Sequence, residues 1–119
     1  MHWRQLGIWK KSHELAKDIY KVTLNFPREE LYGLTSQLRR ATVSIPTNIV
    51  EDFSRNTTKE YVSFLYNSRG SLEEVRYLLY LSLELELIAK QTYTKLEQQF
   101  EEISKMLNAL IKSLKSKLK

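Results

Sequence analysis

Two histidines are the residues in this sequence best suited to metal or proton chemistry. His13-Glu14 begins like the helical His-Glu-x-x-His motif, in which two histidines one turn apart bind zinc. Lys17 occupies the position of the second histidine, so the motif is incomplete. A di-iron bundle needs a glutamate three residues before each histidine, but Lys10 stands there for His13 and no residue stands there for His2. We interpret His13 as a boundary residue of the first helix rather than a catalytic base.

Other common catalytic patterns are missing from the sequence. There is no cysteine, which excludes disulfides, thiolate metal sites and a cysteine nucleophile. The three glycines stand alone at positions 7, 33 and 70, so there is no glycine-rich phosphate loop. We therefore expect a protein that is not an enzyme and has no cofactor and no metal.

Clustered cations are the other chemically informative feature. Arg39-Arg40 is predicted to project from the second helix, either toward an acidic side chain such as Glu51 or toward an anion, because arginine matches phosphate and carboxylate oxygens bidentately. After residue 104 there are five lysines and no acidic residue, and this excess accounts for the whole net charge of +5. The lysine face either complements the negative end of the last helix or contacts nucleic acid. The candidate nucleic-acid-binding residues are Arg39, Arg40, Arg55, Lys105, Lys112, Lys115 and Lys119.

Length and composition limit the fold that positions these residues. A chain of 119 residues suits one domain spanning residues 1–119, and only 3 Gly and 2 Pro favour an all-α protein over a turn-rich β architecture. No apolar run reaches the roughly 20 residues of a membrane span, and residues 1–11 are too polar for a signal peptide. We expect a cytoplasmic protein without membrane contact.

The spacing of apolar residues predicts four helices, near residues 8–24, 34–53, 58–88 and 91–117. Pro46 lies inside the second helix and predicts a kink rather than a break. Residues 79–87 alternate apolar and polar like a strand, but no other segment offers a partner strand, so the helix is favoured. Three short connections then predict an up-down-up-down antiparallel four-helix bundle with a kinked second helix.

The third predicted helix carries a second apolar stripe, formed by Leu78, Leu81, Leu85 and Ile88. In a four-helix monomer of this size we expect only one face of this helix to have intramolecular partners. The second stripe therefore predicts an oligomer interface.

The central run from Tyr32 to Glu51, YGLTSQLRRATVSIPTNIVE, resembles the signature of the bacterial four-helix bundle protein family, whose genes were noted inside intervening sequences of large-subunit ribosomal RNA genes. Phe26-Pro27 before this run and Met106-Leu107 on the fourth helix also look like family positions. The resemblance implies a bundle that assembles into a ring, a pentamer, with no enzymatic activity. Distant relatives are accessory proteins of retroelements, which implies RNA or an RNA-binding protein such as a reverse transcriptase as a partner.

Two functions remain open at this point. The first is a non-enzymatic oligomeric scaffold that contacts RNA or an RNA-bound protein through the candidate cations, with a ring repeating the lysine patch and gaining affinity by multivalency. We find no aromatic or base-reading motif beside the lysines, so this function predicts phosphate-directed binding with little sequence preference. The second is a purely structural protein–protein module in which the cations balance acidic residues across subunits.

Overall fold

Four long helices make up most of the part of the chain that the structure describes. The computed structural model describes residues 2–54 and 57–118. The long helices are α1 Gly7–Thr23, α2 Leu34–Phe53, α3 Thr58–Glu84 and α4 Lys90–Lys115, and short 3-10 turns lie at Trp3–Gln5, Arg28–Glu30 and Ser116–Leu118. No described residue is in a strand, so the all-helical prediction is confirmed and the strand alternative for residues 79–87 is wrong. No described helix has the length and apolar run that a bilayer span requires.

Helix α3 ends at Glu84, four residues before the predicted end at 88. The N–H of Leu87 donates to the Ser82 carbonyl at 2.9 Å and the N–H of Glu86 donates to the Leu83 carbonyl at 3.0 Å. These two bonds form a Schellman motif, with Glu86 in the left-handed conformation at φ 61°. The chain therefore turns back here, and Leu87 packs against the core.

The core lies between the four helices. Each long helix packs on its neighbours in sequence, and α1 also packs on α4, whereas within the described residues α1 does not contact α3 and α2 does not contact α4. All four helices contribute side chains that are almost completely buried, among them Leu15, Ile19, Leu38, Ile45, Leu65, Leu72, Phe100 and Leu107. Burying one such side chain stabilises the fold by roughly 1.5–3 kcal/mol, so the apolar stripes that predict the helices also hold them together.

Helices α2 and α3 share the most extensive contact, beside Pro46. Helix α2 continues through this buried proline. The Ser68 hydroxyl donates to the Ile45 carbonyl at 3.0 Å, and the hydroxyls of Ser44 and Ser71 lie 2.9 Å apart. These small side chains let the two backbones approach closely and join them by hydrogen bonds.

The second apolar stripe of α3 has partners within the same chain. Leu78 is only 6% exposed, and Leu81 and Ile88 are half-buried against the core. The premise that the stripe lacks intramolecular partners is wrong for these three residues, because α3 is covered by both α2 and α4. Leu85, at the end of α3, is 52% exposed. The stripe as an oligomer interface stays a prediction, and its accessible part is Leu85 with the exposed portion of Leu81.

Candidate nucleic-acid interface

A basic groove lies between the first half of α3 and the last turns of α4, with a volume of about 660 Å³. Helix α3 contributes Tyr66 and Arg69 to its lining. The end of α4 and the turn that follows it contribute Asn108, Ile111, Lys112, Lys115, Ser116 and Leu118. We call this site the Tyr66 groove.

The ring of Tyr66 organises the cations of the Tyr66 groove. The guanidinium carbon of Arg69 lies 4.6 Å from the ring centre, and its Nη1 donates to Asn108 Oδ1 at 3.1 Å. The Nζ of Lys115 lies 5.7 Å from the same ring centre. Both distances fall within cation–π range, so one tyrosine holds two cations that come from different helices.

The electrostatic character of the Tyr66 groove is positive. Arg69, Lys112 and Lys115 line it, and no carboxylate of the described residues does. The ion pairs formed within residues 2–54 and 57–118 lie elsewhere and involve none of these three cations. Three cations without a neighbouring carboxylate attract an anion, and their N–H groups suit phosphate or carboxylate oxygens.

The structure brings two of the seven predicted nucleic-acid-binding residues into this groove, Lys112 and Lys115. Lys105 is exposed on α4, one turn before Asn108, and lies outside the lining. Arg39 and Arg40 lie on α2, which contributes no residue to the groove. The remaining two candidates, Arg55 and Lys119, lie outside the described residues.

Four polar residues of the groove were missed by the sequence reasoning: Tyr66, Arg69, Asn108 and Ser116. The expectation that no aromatic residue accompanies the lysines is wrong, because contact between α3 and α4 brings a tyrosine that is distant in sequence beneath Lys115. A signal was present in the spacing of Tyr66 and Arg69, which sets a ring and a cation one turn apart on the same side of a helix.

A family comparison covers most of this chain, including the α3 part of the groove. The model of the 23S rRNA-intervening sequence protein family matches residues 4–109. The chain belongs to this family. Tyr66, Arg69 and Asn108 lie inside the matched range, and Lys112 and Lys115 follow it. None of the curated proteins matches the chain.

A solved structure shares the fold. It is the 1.70 Å crystal structure of a protein with unknown function from the S23 ribosomal protein family of Bacteroides thetaiotaomicron VPI-5482. The two chains are 27% identical with a TM-score of 0.80, and the match covers 88% of this chain and 98% of that chain. The resemblance to the intervening-sequence family is therefore confirmed. This ribosomal-protein-like family is not a known class of enzymes.

Arg39 is half-buried and binds the end of α1. Its Nε donates to the Thr23 hydroxyl at 2.9 Å, its Nη2 donates to the Tyr20 carbonyl at 3.4 Å, and its guanidinium carbon lies 4.6 Å from the Tyr20 ring centre. A cation at a helix C-terminus also complements the negative end of the helix dipole. Arg39 thus joins α1 to α2, whereas Arg40 is exposed.

A second cluster, on α3 and α4, joins these helices by ion pairs. Arg76 Nη2 lies 2.8 Å from a carboxylate oxygen of Glu97 and 2.7 Å from one of Glu101. The hydrogen bond to Glu97 is the main cause that raises the pKa of Arg76, against the opposing effect of burial. Burial, followed by the charge of Glu97, raises the pKa of Tyr93. Because every member is engaged with another, this cluster fits a structural clip between helices.

His13 is exposed, and its ring stacks on Trp9 with ring centres 4.7 Å apart and planes 10° from parallel. In the part of the chain that the structure describes, no three His, Asp or Glu side chains come together as metal ligands would.

Proposed function

We propose that this protein is a non-enzymatic oligomeric scaffold or accessory factor that contacts RNA, free or in a ribonucleoprotein. The observation that carries this proposal is the convergence of Arg69, Lys112 and Lys115 around Tyr66 without a carboxylate in the lining. The family's link to 23S rRNA intervening sequences supports RNA as the anionic partner and a cytoplasmic location.

The chemistry of the Tyr66 groove suits the phosphate backbone. Lys112 and Lys115 are exposed, and Arg69 has further N–H donors besides the one that binds Asn108. A base that stacks on Tyr66 competes for the ring with Arg69 and Lys115, which lie 4.6 Å and 5.7 Å from its centre. Phosphate contacts supply affinity without carrying sequence information, so we propose binding with little sequence preference.

We also propose that the chain is a homo-oligomer, with the pentamer implied by the family resemblance as its form. Salt at physiological ionic strength weakens the binding of RNA to a single groove with three cations. An oligomer repeats the groove in each copy, so one RNA that touches several copies gains by effective concentration. An RNA-bound protein such as a reverse transcriptase is the corresponding partner in a ribonucleoprotein.

The proposal includes an antiparallel up-down-up-down arrangement of the four helices, with α2 bent at Pro46. Support comes from the short connections and from the cyclic order in which the helices pack. The molecule measures 47 × 22 × 21 Å, and the 27 residues of α3 have an expected length of about 40 Å, close to the long dimension. A proline inside a helix removes one backbone hydrogen bond and usually bends the helix.

A second function, a protein–protein module without nucleic acid, is favoured by a specific observation. The guanidinium groups of Arg39 and Arg76 are engaged within the chain, by α1 and α4 respectively. If the exposed cations likewise meet acidic residues of another subunit, the protein needs no RNA.

The salt dependence of RNA binding separates the two functions. We expect mixed-sequence single-stranded RNA to bind in a filter assay with an affinity that falls steeply between about 50 and 200 mM salt. The variant K112Q/K115Q should reduce the slope of log K against log salt by about 1.4 for each groove that the RNA occupies, because each phosphate contact on a single strand contributes about 0.7. K90Q/K95Q, which removes two exposed lysines from the start of α4, is the matched control.

Point substitutions are preferred to truncation, because Ile111 is buried and removing the end of α4 would remove part of the core. Equal slopes for the wild type, K112Q/K115Q and K90Q/K95Q would exclude the Tyr66 groove as the RNA contact. The absence of RNA binding at low salt would leave the protein–protein module as the function.

A further inference from the structure

A second groove lies between α1 and α2, and its floor is apolar. It has a volume of about 530 Å³, and its apolar lining consists of Trp9, Ala16, Tyr20, Val43, Pro46 and Val50. Tyr20 is 44% exposed and Val43 is 39% exposed. Contiguous apolar surface left open on a chain marks an interaction site. We call this site the α1/α2 groove.

The rim of the α1/α2 groove is positive. Lys17 and Lys21 contribute to the lining, and among the side chains that the structure describes no carboxylate does. Lys17 pairs with Glu14 of the same helix at 3.4 Å, but both side chains are at least half exposed, so the pair contributes little. The groove therefore suits an occupant that combines apolar side chains with carboxylates.

The outer side of the second half of α3 has this chemistry. We define the α3 face as Glu73, Tyr77, Tyr80, Leu81 and Glu84. Each of them lies three or four residues from another member, so they share one side of the helix. Tyr77 is 61% exposed and Tyr80 is 49% exposed, and both glutamates are exposed. The nearby Arg76 pairs with Glu97 of α4 at 2.8 Å and more weakly with Glu73 at 3.5 Å, and Glu73 remains 60% exposed, so the α3 face is acidic and aromatic.

We propose that the α3 face of one copy of this chain occupies the α1/α2 groove of a second copy. This inference rests on the proposed homo-oligomer and specifies which surfaces form it. Glu73 and Glu84 meet the lysine rim, and the exposed tyrosines cover the apolar floor. Because two different surfaces meet, the contact runs head to tail, and every copy offers both surfaces to further copies. Such contacts close into rings when the rotation between copies permits.

A charge exchange tests the pairing of the two surfaces. The groove variant K17E/K21E and the face variant E73K/E84K should each lose the oligomer in sedimentation velocity while keeping wild-type helicity by circular dichroism. An equimolar mixture of the two variants should associate again, because the reversed groove of one variant matches the reversed face of the other. Since the two variants must alternate, a closed ring of five would keep one mismatched contact, so the mixture should form mixed oligomers with an even number of copies. The chain with all four substitutions should recover the oligomer. K90E/K95E, which changes the net charge as much as K17E/K21E on another surface, should remain oligomeric.

The outcomes distinguish this inference from the proposed function. An oligomeric wild type whose two reversed variants also stay oligomeric would overturn the pairing and leave the homo-oligomer in place. A monomeric wild type would overturn both the pairing and the homo-oligomer, and the RNA assay on the Tyr66 groove would be unaffected.

Discussion

Replacing Glu86 with glycine should stabilise this protein, although the change removes a whole side chain. Glu86 has φ 61° and is the left-handed residue of the Schellman motif that ends α3. The left-handed conformation costs an L-residue roughly 1–2 kcal/mol of free energy, whereas glycine adopts it without this cost. Glycine in turn loses more conformational entropy on folding, which costs roughly 0.5–1 kcal/mol. The difference predicts that E86G raises the free energy of unfolding by up to roughly 1.5 kcal/mol, with a central value of about 0.8 kcal/mol.

The matched control is E74G, which removes the same charge from an exposed position inside α3. Glycine in a helix interior should lower the free energy of unfolding by about 1 kcal/mol. Urea denaturation at one fixed protein concentration should therefore shift the midpoint upward for E86G and downward for E74G, with the same m value. A midpoint that falls for both variants would refute the assignment of Glu86 to a strained C-terminal cap.

Two further predictions concern the clip between α3 and α4. Glu97→Gln should lower the free energy of unfolding by about 1–2 kcal/mol, because Glu97 is 26% exposed and lies 2.8 Å from Arg76. Glu73→Gln should lower it by less than about 0.5 kcal/mol, because Glu73 is 60% exposed and lies 3.5 Å from Arg76. Equal losses for the two variants in urea denaturation would contradict this ranking. Because the pKa of the Tyr93 hydroxyl is raised in the folded chain, the unfolded chain loses the hydroxyl proton at lower pH than the folded chain does. The free energy of unfolding should therefore decline above about pH 10. Thermal melts between pH 8 and pH 11 should show a smaller decline for Tyr93→Phe than for Tyr32→Phe, whose side chain is 93% exposed. Identical declines would count against the burial of Tyr93 as the cause.

The four helices could be predicted from sequence because the pattern that identifies each one is also what stabilises it. Leu15, Leu38, Leu72 and Leu107 each lie on an apolar stripe of a different helix, and each is fully buried. The end of α3 could not be predicted in this way. Glutamate has no preference for the left-handed conformation that Glu86 adopts, so this helix end depends on packing of the following segment against the core.

The Tyr66 groove could be predicted only in part. Lys112 and Lys115 belong to a cluster that is local in sequence, so composition alone identified them. Arg69 and Tyr66 join them through the contact between α3 and α4, and sequence periodicity gives the faces of two helices without giving their relative register. The environment of Arg39 could not be foreseen for the same reason, since its partner Thr23 belongs to another helix.

The two grooves lie on different pairs of helices, and this separation links assembly to RNA binding. The α1/α2 groove uses α1 and α2, whereas the Tyr66 groove uses α3 and α4. On α3 itself, Arg69 lies about 6 Å along the helix axis from Glu73, the nearest residue of the α3 face, so a subunit docked on the α3 face would adjoin the Tyr66 groove, and RNA binding by the assembly requires that it leave the groove open. Head-to-tail assembly would then add one open basic groove with every copy. The affinity for a long RNA should accordingly fall far more in the groove variant K17E/K21E than the affinity for an RNA too short to touch two copies, because only the long RNA benefits from several linked grooves.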